Sequence, residues 1–235
     1  MQDAPVVFAY LDEPPFCWPG ADGAAQGCDG ELVTAALQAL GITRFEQRLT
    51  TFAELLPGLA HGRWTITTPL FVTAERQRLV DFSRPVWALT DGLLVRAADR
   101  GRLTGYRAVA EIGARLVIVG GQVQEQAGIA AGIALDCILS VATQEDAVTA
   151  VADGRADAYA SVAMAHRGYL AREPDPALAI VNVPASESVP AAGAFAFGKQ
   201  HAALRERFNT ALDGLIGTDW HRAMMARHGF PSGEY

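Results

Sequence analysis

The chain is poor in cysteine, in positive charge and in long hydrophobic runs, and each shortage excludes a class of protein. Only 3 of its 235 residues are cysteines, and their spacing matches no zinc signature. Lys and Arg number 19 against 26 Asp and Glu, and the net charge of −7 without a basic stripe argues against nucleic acid as a partner. The apolar runs end well before the roughly 20 residues that a membrane span needs.

The given sequence also contains no catalytic motif and no segment with the pattern of a secretory leader. We find no Gly-x-Ser-x-Gly, no metal spacing of His and Cys and no phosphate loop, so we expect no catalytic residues, no metal and no cofactor. No basic and apolar leader precedes the first predicted strand. Either a leader was removed from a longer precursor or it never existed, and the residues leave both histories open.

Two of the cysteines, Cys17 and Cys28, enclose a loop rich in Gly, Ala and Pro. Such a loop is weakly held by packing, so we expect a disulfide there, which would stabilise the fold by about 3 kcal/mol and indicate export. The alternative is three free thiols in a reducing compartment. Cys137 lies in an apolar predicted strand and is expected to be a buried small hydrophobe.

Half of the residues are hydrophobic, which suffices for one large domain or for two lobes of about 100 residues each. Hydrophobic periodicity predicts strands at Val6–Leu11, Phe45–Leu49, Trp64–Phe71, Trp87–Ala97, Arg115–Gly120, Cys137–Val141, Ala156–Ser161, Leu178–Val183 and Ala192–Phe197. It predicts helices at Glu31–Leu40, Phe52–Ala60, Tyr106–Ile112, Val123–Ala131, Gln144–Ala152 and Met164–Ala171, and one or two helices over Leu204–His228. This alternation predicts an α/β fold with parallel sheets that bind ligands at the strand C-termini.

Six short stretches point to a family. They are EPPF, GCDGELVTAAL, GRW followed by TAER and VDFSRP, VIVGGQVQE, DAVTAVADGRADAY and a late HGFP. In this order they resemble the family 3 solute-binding proteins of polar amino-acid ABC importers, over nearly the whole chain. The resemblance implies the type 2 periplasmic binding protein fold, in which two Rossmann-like α/β lobes joined by two crossing strands close on a ligand. It places lobe 1 at about residues 1–94 and 188–235, lobe 2 at about 95–187, and the crossings at Leu93–Ala97 and Glu187–Gly193.

The resemblance also implies a function. A monomer in the periplasm, or otherwise outside the cytoplasm after loss of a leader, would bind a small solute between its lobes and deliver it to the membrane permease of an ABC importer. Three alternatives stay open: the ligand-sensing flytrap of a receptor, a binder of an ordinary polar amino acid, and an enzyme similar to cyclohexadienyl dehydratase.

Arg76 is the first candidate binding residue, because it ends a Thr73-x-x-Arg76 turn just after a predicted strand. In proteins of this type the Arg of such a turn binds the carboxylate of the ligand. Arginine suits this role because its planar fork pairs both carboxylate oxygens and stays charged. The structural alternative is a surface ion pair with Glu75 or Asp81.

Two departures from the family pattern suggest what else the ligand carries. Val162 matches the position of the Asp that takes the α-ammonium in amino-acid binders, and Phe71 replaces a Ser or Thr. Both changes argue against a plain α-amino acid. The remaining set resembles the pocket of ectoine and hydroxyectoine binders, in which aromatic faces and a Glu hold a delocalised cation while an Arg holds the carboxylate. That set is Glu13, Phe16, Phe52, Phe71 and Arg76.

Other roles remain for several of these residues. Phe52 and Phe71 are equally suited to the core, and the alternative for Glu13 is an exposed loop acid. Trp18 or Trp87, near the mouth of the implied cleft, can replace one of the three phenylalanines.

The second lobe offers one candidate region, the turn Gly120–Val123 between a strand and a helix. This turn presents backbone N–H groups to a carboxylate. Many relatives have Thr where Val123 stands, so a hydroxyl donor is missing and we expect Gln122 to replace it.

Overall fold

Strands and helices alternate along most of the chain. The computed structural model describes residues 5–233 and 235. Its strands are β1 Val7–Tyr10, β2 Trp18–Pro19, β3 Ala25–Gln26, β4 Glu46–Leu49, β5 Ile66–Phe71, β6 Asp81–Phe82, β7 Trp87–Leu89, β8 Asp91–Arg96, β9 Leu116–Val119, β10 Ile138–Val141, β11 Ala158–Val162, β12 Leu178–Asn182 and β13 Ala191–Phe197. Its helices are α1 Cys28–Ala39, α2 Phe52–Ala60, α3 Ala74–Leu79, α4 Tyr106–Glu111, α5 Gln124–Ala130, α6 Gln144–Ala152, α7 Ala163–Arg172, α8 Ala202–Leu215 and α9 Asp219–Arg227.

These elements form two compact units. Unit 1 comprises Met1–Ala88 and Ala192–Tyr235, and unit 2 comprises Leu89–Ala191. The predicted crossing Leu93–Ala97 overlaps β8, which pairs with β11 and β12 inside unit 2. Within the described residues, every helix falls short of the length and apolar character that a membrane crossing requires.

Unit 1 is built on a mixed sheet in the order β4-β1-β5-β13-β6, with β7 also paired to β13. Strands β4, β1 and β5 are parallel, whereas β13 runs antiparallel to β5 and β6. Its core contains Leu55, Leu59 and Leu70, and each such buried side chain stabilises the fold by about 2 kcal/mol.

Unit 2 has a second mixed sheet in the order β10-β9-β11-β8-β12. Strands β10, β9 and β11 are parallel, whereas β8 is antiparallel to both β11 and β12. The predicted parallel pairing is therefore found in three strands of each sheet, and the other strands make both sheets mixed. Parallel neighbours need a crossover connection, whereas β7 leads into β8 and β12 leads into β13 with no helix between them, close to the points at which the chain changes units.

Three threonines mark helix starts, as short polar side chains do when they accept an N–H of the first turn. The hydroxyls of Thr73, Thr143 and Thr218 accept the backbone N–H three residues on, at 3.1–3.2 Å. Helix α1 starts differently, after Gly27 at φ 101°, where a β-carbon would lie 2.3 Å from the carbonyl oxygen of Phe16. Only glycine fits this close approach.

The predicted disulfide between Cys17 and Cys28 is not present, and both cysteines are buried free thiols. The loop was expected to be weakly held, but backbone hydrogen bonds fasten it. The N–H of Cys28 donates to Pro15 O at 3.0 Å, and β2 pairs with β3 inside the loop. Cys137 is half-buried before β10 rather than fully buried within a strand.

Candidate functional site

Arg76 is a buried cation in α3, the helix that follows β5. The cap by Thr73 turns the chain into α3, and the Nη1 of Arg76 donates to Phe71 O at 3.0 Å. Its guanidinium carbon lies 5.5 Å from the ring centroid of Phe52, within the range of a cation–π contact. Arg76 is only 7% exposed, so its guanidinium is a buried cation rather than a surface one.

The burial of Arg76 has an electrostatic cost that an anion would offset. Desolvation lowers the pKa of Arg76, and the nearby charge of Glu75 opposes that shift. A guanidinium nevertheless stays protonated, so the side chain remains a cation. A buried cation is stabilised by a hydrogen-bonded anion, and a planar fork suits a carboxylate.

Three buried rings contact one another in series, and we call this cluster the aromatic surface: Phe16, Trp87 and Phe71. Trp87 lies in the middle, with ring centroids 5.7 Å from Phe16 and 5.5 Å from Phe71. Gly193 pairs with Phe71 across β13 and β5, and its lack of a side chain leaves room for the indole. Trp87, expected only as a substitute for one phenylalanine, thus links two of them.

Glu13 belongs to the turn that carries Phe16. The carbonyl of Glu13 accepts the N–H of Phe16 at 3.0 Å and that of Cys17 at 3.2 Å. Its own N–H donates to Cys17 O at 2.8 Å, and the residue is half-buried. Glu13 therefore lies three residues before Phe16 in the chain, and the turn fixes its backbone.

The other two aromatic candidates lie in different surroundings. Phe52 opens α2 and packs partly against the unit 1 core, so it serves the core and contacts Arg76 at the same time. Trp18 lies in the β2–β3 hairpin, where its Nε1 donates to Gln26 and its ring contacts His228 at 5.8 Å. These contacts of Trp18 do not join it to the aromatic surface.

The unit 2 candidates lie in the turn between β9 and α5. Gln122 and Val123 are both half-buried there. The side-chain Oε1 of Gln122 is buried and accepts no hydrogen bond from the residues that the structure describes. A buried acceptor without a donor costs free energy, and a ligand N–H would satisfy it.

Sequence reasoning missed Asp29, a buried carboxylate beneath the aromatic surface. Its Oδ1 accepts the Nε1–H of Trp87 at 3.3 Å and contacts the Cys28 thiol at 3.6 Å, while its Oδ2 accepts the hydroxyl of Thr68 at 3.2 Å. Burial raises the pKa of Asp29 to about 7, and these hydrogen bonds partly offset the rise. An acid within the first turn of an apolar helix was the available signal.

Asp91 was missed as well, because it lies inside a strand that reads as apolar. It is buried on β8 directly opposite Val162 of β11. One carboxylate oxygen accepts the Nε2 of Gln124 at 2.7 Å, and the other accepts the hydroxyl of Tyr106 at 2.9 Å. Asp91 therefore already has a partner for each oxygen within unit 2.

The part of the chain that the structure describes holds no cluster of three or more His, Cys, Asp or Glu side chains able to bind a metal ion. The chemistry available in unit 1 is instead a buried cation, a neighbouring aromatic surface and the half-buried acid Glu13. Such groups recognise a small molecule that carries both signs of charge.

Solved structures of other proteins share this fold. The crystal structure of EhuB in complex with hydroxyectoine has a TM-score of 0.88 and 24% identity, over 96% of this chain and 88% of that protein. The arginine-bound form of a truncated ArgBP from T. maritima has a TM-score of 0.77 and 24% identity, over 89% of this chain and 95% of that protein. At these identities both show the fold alone, which is that of type 2 periplasmic binding proteins.

Sequence comparisons carry the assignment further. A probable amino-acid ABC transporter periplasmic-binding protein of Sinorhizobium fredii is 30% identical over 234 residues, which span 96% of this chain and 77% of the relative. The family model for bacterial extracellular solute-binding proteins, family 3, matches residues 6–230. The chain therefore belongs to the family 3 extracellular solute-binding proteins and is an amino-acid-type solute-binding protein of an ABC importer.

Proposed function

We propose that the chain binds a compact zwitterion with a delocalised or substituted cation, ectoine-type solutes first, and delivers it to its importer in the periplasm. The observation that carries this proposal is the series of contacts in unit 1 that runs from Arg76, through the aromatic surface, to the turn of Glu13. A buried cation, three rings in series and an acid in the turn of the first ring support this proposal.

Each end of such a solute has a partner in this region. Arg76 binds the carboxylate, because it is a planar, permanently charged donor held in place by Phe71 O. The aromatic surface and Glu13 bind the positive end. A cation desolvated against ring faces gains about 2 kcal/mol or more, and a broad, weakly hydrated cation loses less water than an ammonium does.

Unit 2 supports the same class of ligand. Val162, at the position of the usual ammonium partner, is apolar and buried. Asp91 on the opposite strand is already paired with Gln124 and Tyr106. Within unit 2, the Oε1 of Gln122 is a buried acceptor with no donor among the described residues.

A second candidate is arginine, the ligand of the ArgBP neighbour. Its guanidinium is also a delocalised cation that stacks on aromatic rings. Its α-ammonium, however, requires an acid that Val162 does not provide. We therefore expect arginine to bind more weakly than ectoine.

A thermal-shift panel tests the ligand class. Ectoine, hydroxyectoine, glycine betaine, proline, arginine and glutamine are each added to the purified protein. A true ligand at about 100 times its dissociation constant stabilises the fold by about 2.7 kcal/mol, which is a readily visible shift. Stabilisation by glutamine, but by neither ectoine nor hydroxyectoine, would contradict the proposed ligand class and leave the transport function standing.

Substitution of Arg76 tests its role. Arg76→Ala should abolish ectoine binding by calorimetry while circular dichroism stays native, and Arg76→Lys should also bind poorly because the bidentate geometry is lost. Arg78→Ala is the matched control, since Arg78 is an exposed arginine of the same helix. Equal affinity of the Arg76 and Arg78 variants would refute the carboxylate clamp.

A further inference from the structure

Asp29 is a buried acid that is hydrogen-bonded to two residues of the aromatic surface, Trp87 and Phe16. It is 2% exposed and occupies the first turn of α1. Its Oδ1 accepts the indole N–H of Trp87, the central ring, at 3.3 Å. Its Oδ2 accepts the hydroxyl of Thr68 at 3.2 Å, so the carboxylate is fixed on both sides.

Asp29 also holds the second ring of the surface through the backbone. Its N–H donates to Phe16 O at 3.0 Å. The ring of Trp87 is in turn confined by Phe16, by Phe71 and by the missing side chain of Gly193. One residue thus orients the indole by its side chain and the neighbouring phenylalanine by its main chain.

The charge of Asp29 acts on the same ring. An indole whose N–H donates to a carboxylate carries more negative potential on its faces, and a cation is attracted by that potential. The titratable groups that interact with Asp29 are the thiols of Cys28 on its own helix and Cys17 on the preceding turn. Burial raises the pKa of both thiols well above the usual range, so they stay neutral near neutral pH.

We propose that Asp29 is a positioning residue of the solute site, which acts through Trp87 and tightens the binding of the positive end of the zwitterion when the Asp29 carboxylate is ionised. This inference rests on the proposed function. Because burial places the pKa of Asp29 at about 7, the effect falls within the range of pH that a periplasmic protein meets. Affinity should therefore rise as the pH rises through neutrality.

The first test needs no ligand. In a ¹⁵N–¹H spectrum of the full chain, the indole N–H signal of Trp87, assigned by its loss in Trp87→Phe, should titrate near neutral pH. Trp64 is the internal control, because its Nε1 donates to the backbone carbonyl of Leu55 at 3.0 Å and no carboxylate accepts it. A Trp87 signal that stays as constant as that of Trp64 would overturn the proposal.

The second test measures ectoine binding by calorimetry at about pH 5.5 and about pH 8.5, either side of neutrality. The unaltered protein should bind tighter at the higher pH, by on the order of tenfold. Asp29→Asn keeps an oxygen that accepts the indole N–H, so its affinity for ectoine should equal that of the unaltered protein at low pH. At high pH its affinity should not increase. Asp136→Asn, which removes an exposed acid from unit 2, should keep the full gain.

The outcomes separate this inference from the proposed function. If ectoine binds and Asp29→Asn follows the same pH profile as the unaltered protein, the positioning role of Asp29 is refuted and the ligand class stands. If no zwitterion of the panel binds at either pH, the ligand class fails, and the indole titration still decides whether Asp29 controls Trp87.

Discussion

Gly193→Ala should both destabilise unit 1 and weaken solute binding, because Gly193 makes the slot for Trp87. A β-carbon at this position would lie 2.0 Å from Cη2 and Cζ3 of the indole. Carbon atoms that are not bonded pack at about 3.5–4.0 Å from each other, so the indole ring would have to move away from the new β-carbon by more than about 1 Å. Its hydrogen bond to Asp29 and its contacts with Phe16 and Phe71 resist that movement. Overpacking of this kind costs about 1–3 kcal/mol.

Urea denaturation followed by far-ultraviolet circular dichroism measures the free energy of unfolding, and calorimetry with ectoine measures binding. Gly214→Ala is the matched control, since a β-carbon there meets nothing within 4 Å. Because Gly214 lies in α8, its replacement should stabilise the fold by about 0.5 kcal/mol. If Gly193→Ala were as stable as Gly214→Ala and bound ectoine normally, the confinement of Trp87 would have no role in the site.

Two further predictions concern titration and the thiols. The native state keeps the Asp29 proton up to a pKa of about 7, so its contribution to the unfolding free energy falls as pH rises from about 4 to about 7. Burial lowers the pKa of His166 to about 4, so its contribution is lost in the opposite direction, as pH falls from about 6.5 to about 4. Urea titrations across this range should therefore show Asp29→Asn gaining stability with pH relative to the unaltered protein, and parallel curves would contradict the shift. In the folded protein iodoacetamide should label the half-buried Cys137 before Cys17 and Cys28, and intact mass should show three thiols rather than a bridge.

Local sequence patterns were sufficient for most of the secondary structure. Helices α2 and α6 have the predicted bounds, because each begins after a Thr and keeps helical periodicity to its end. The Thr73-x-x-Arg76 turn could also be predicted, since the capping hydroxyl of Thr73 and the backbone N–H of Arg76 that it accepts lie within one helical turn. The direction of the strands in the sheets could not be predicted from sequence, because the pairing of β13 with β5 joins segments more than a hundred residues apart.

The sequence by itself determined the alternation of strands and helices, the family, and the residue types that a zwitterion would need, since these depend on neighbours in the chain and on motifs. Only the tertiary structure decided that Trp87 joins Phe16 to Phe71, that Asp29 lies behind it, and that Cys17 and Cys28 are unbridged. Asp29 and Trp87 are separated by 58 residues. A buried carboxylate is stable only where folding brings hydrogen-bond donors to it, and no local pattern records which distant side chains will supply them.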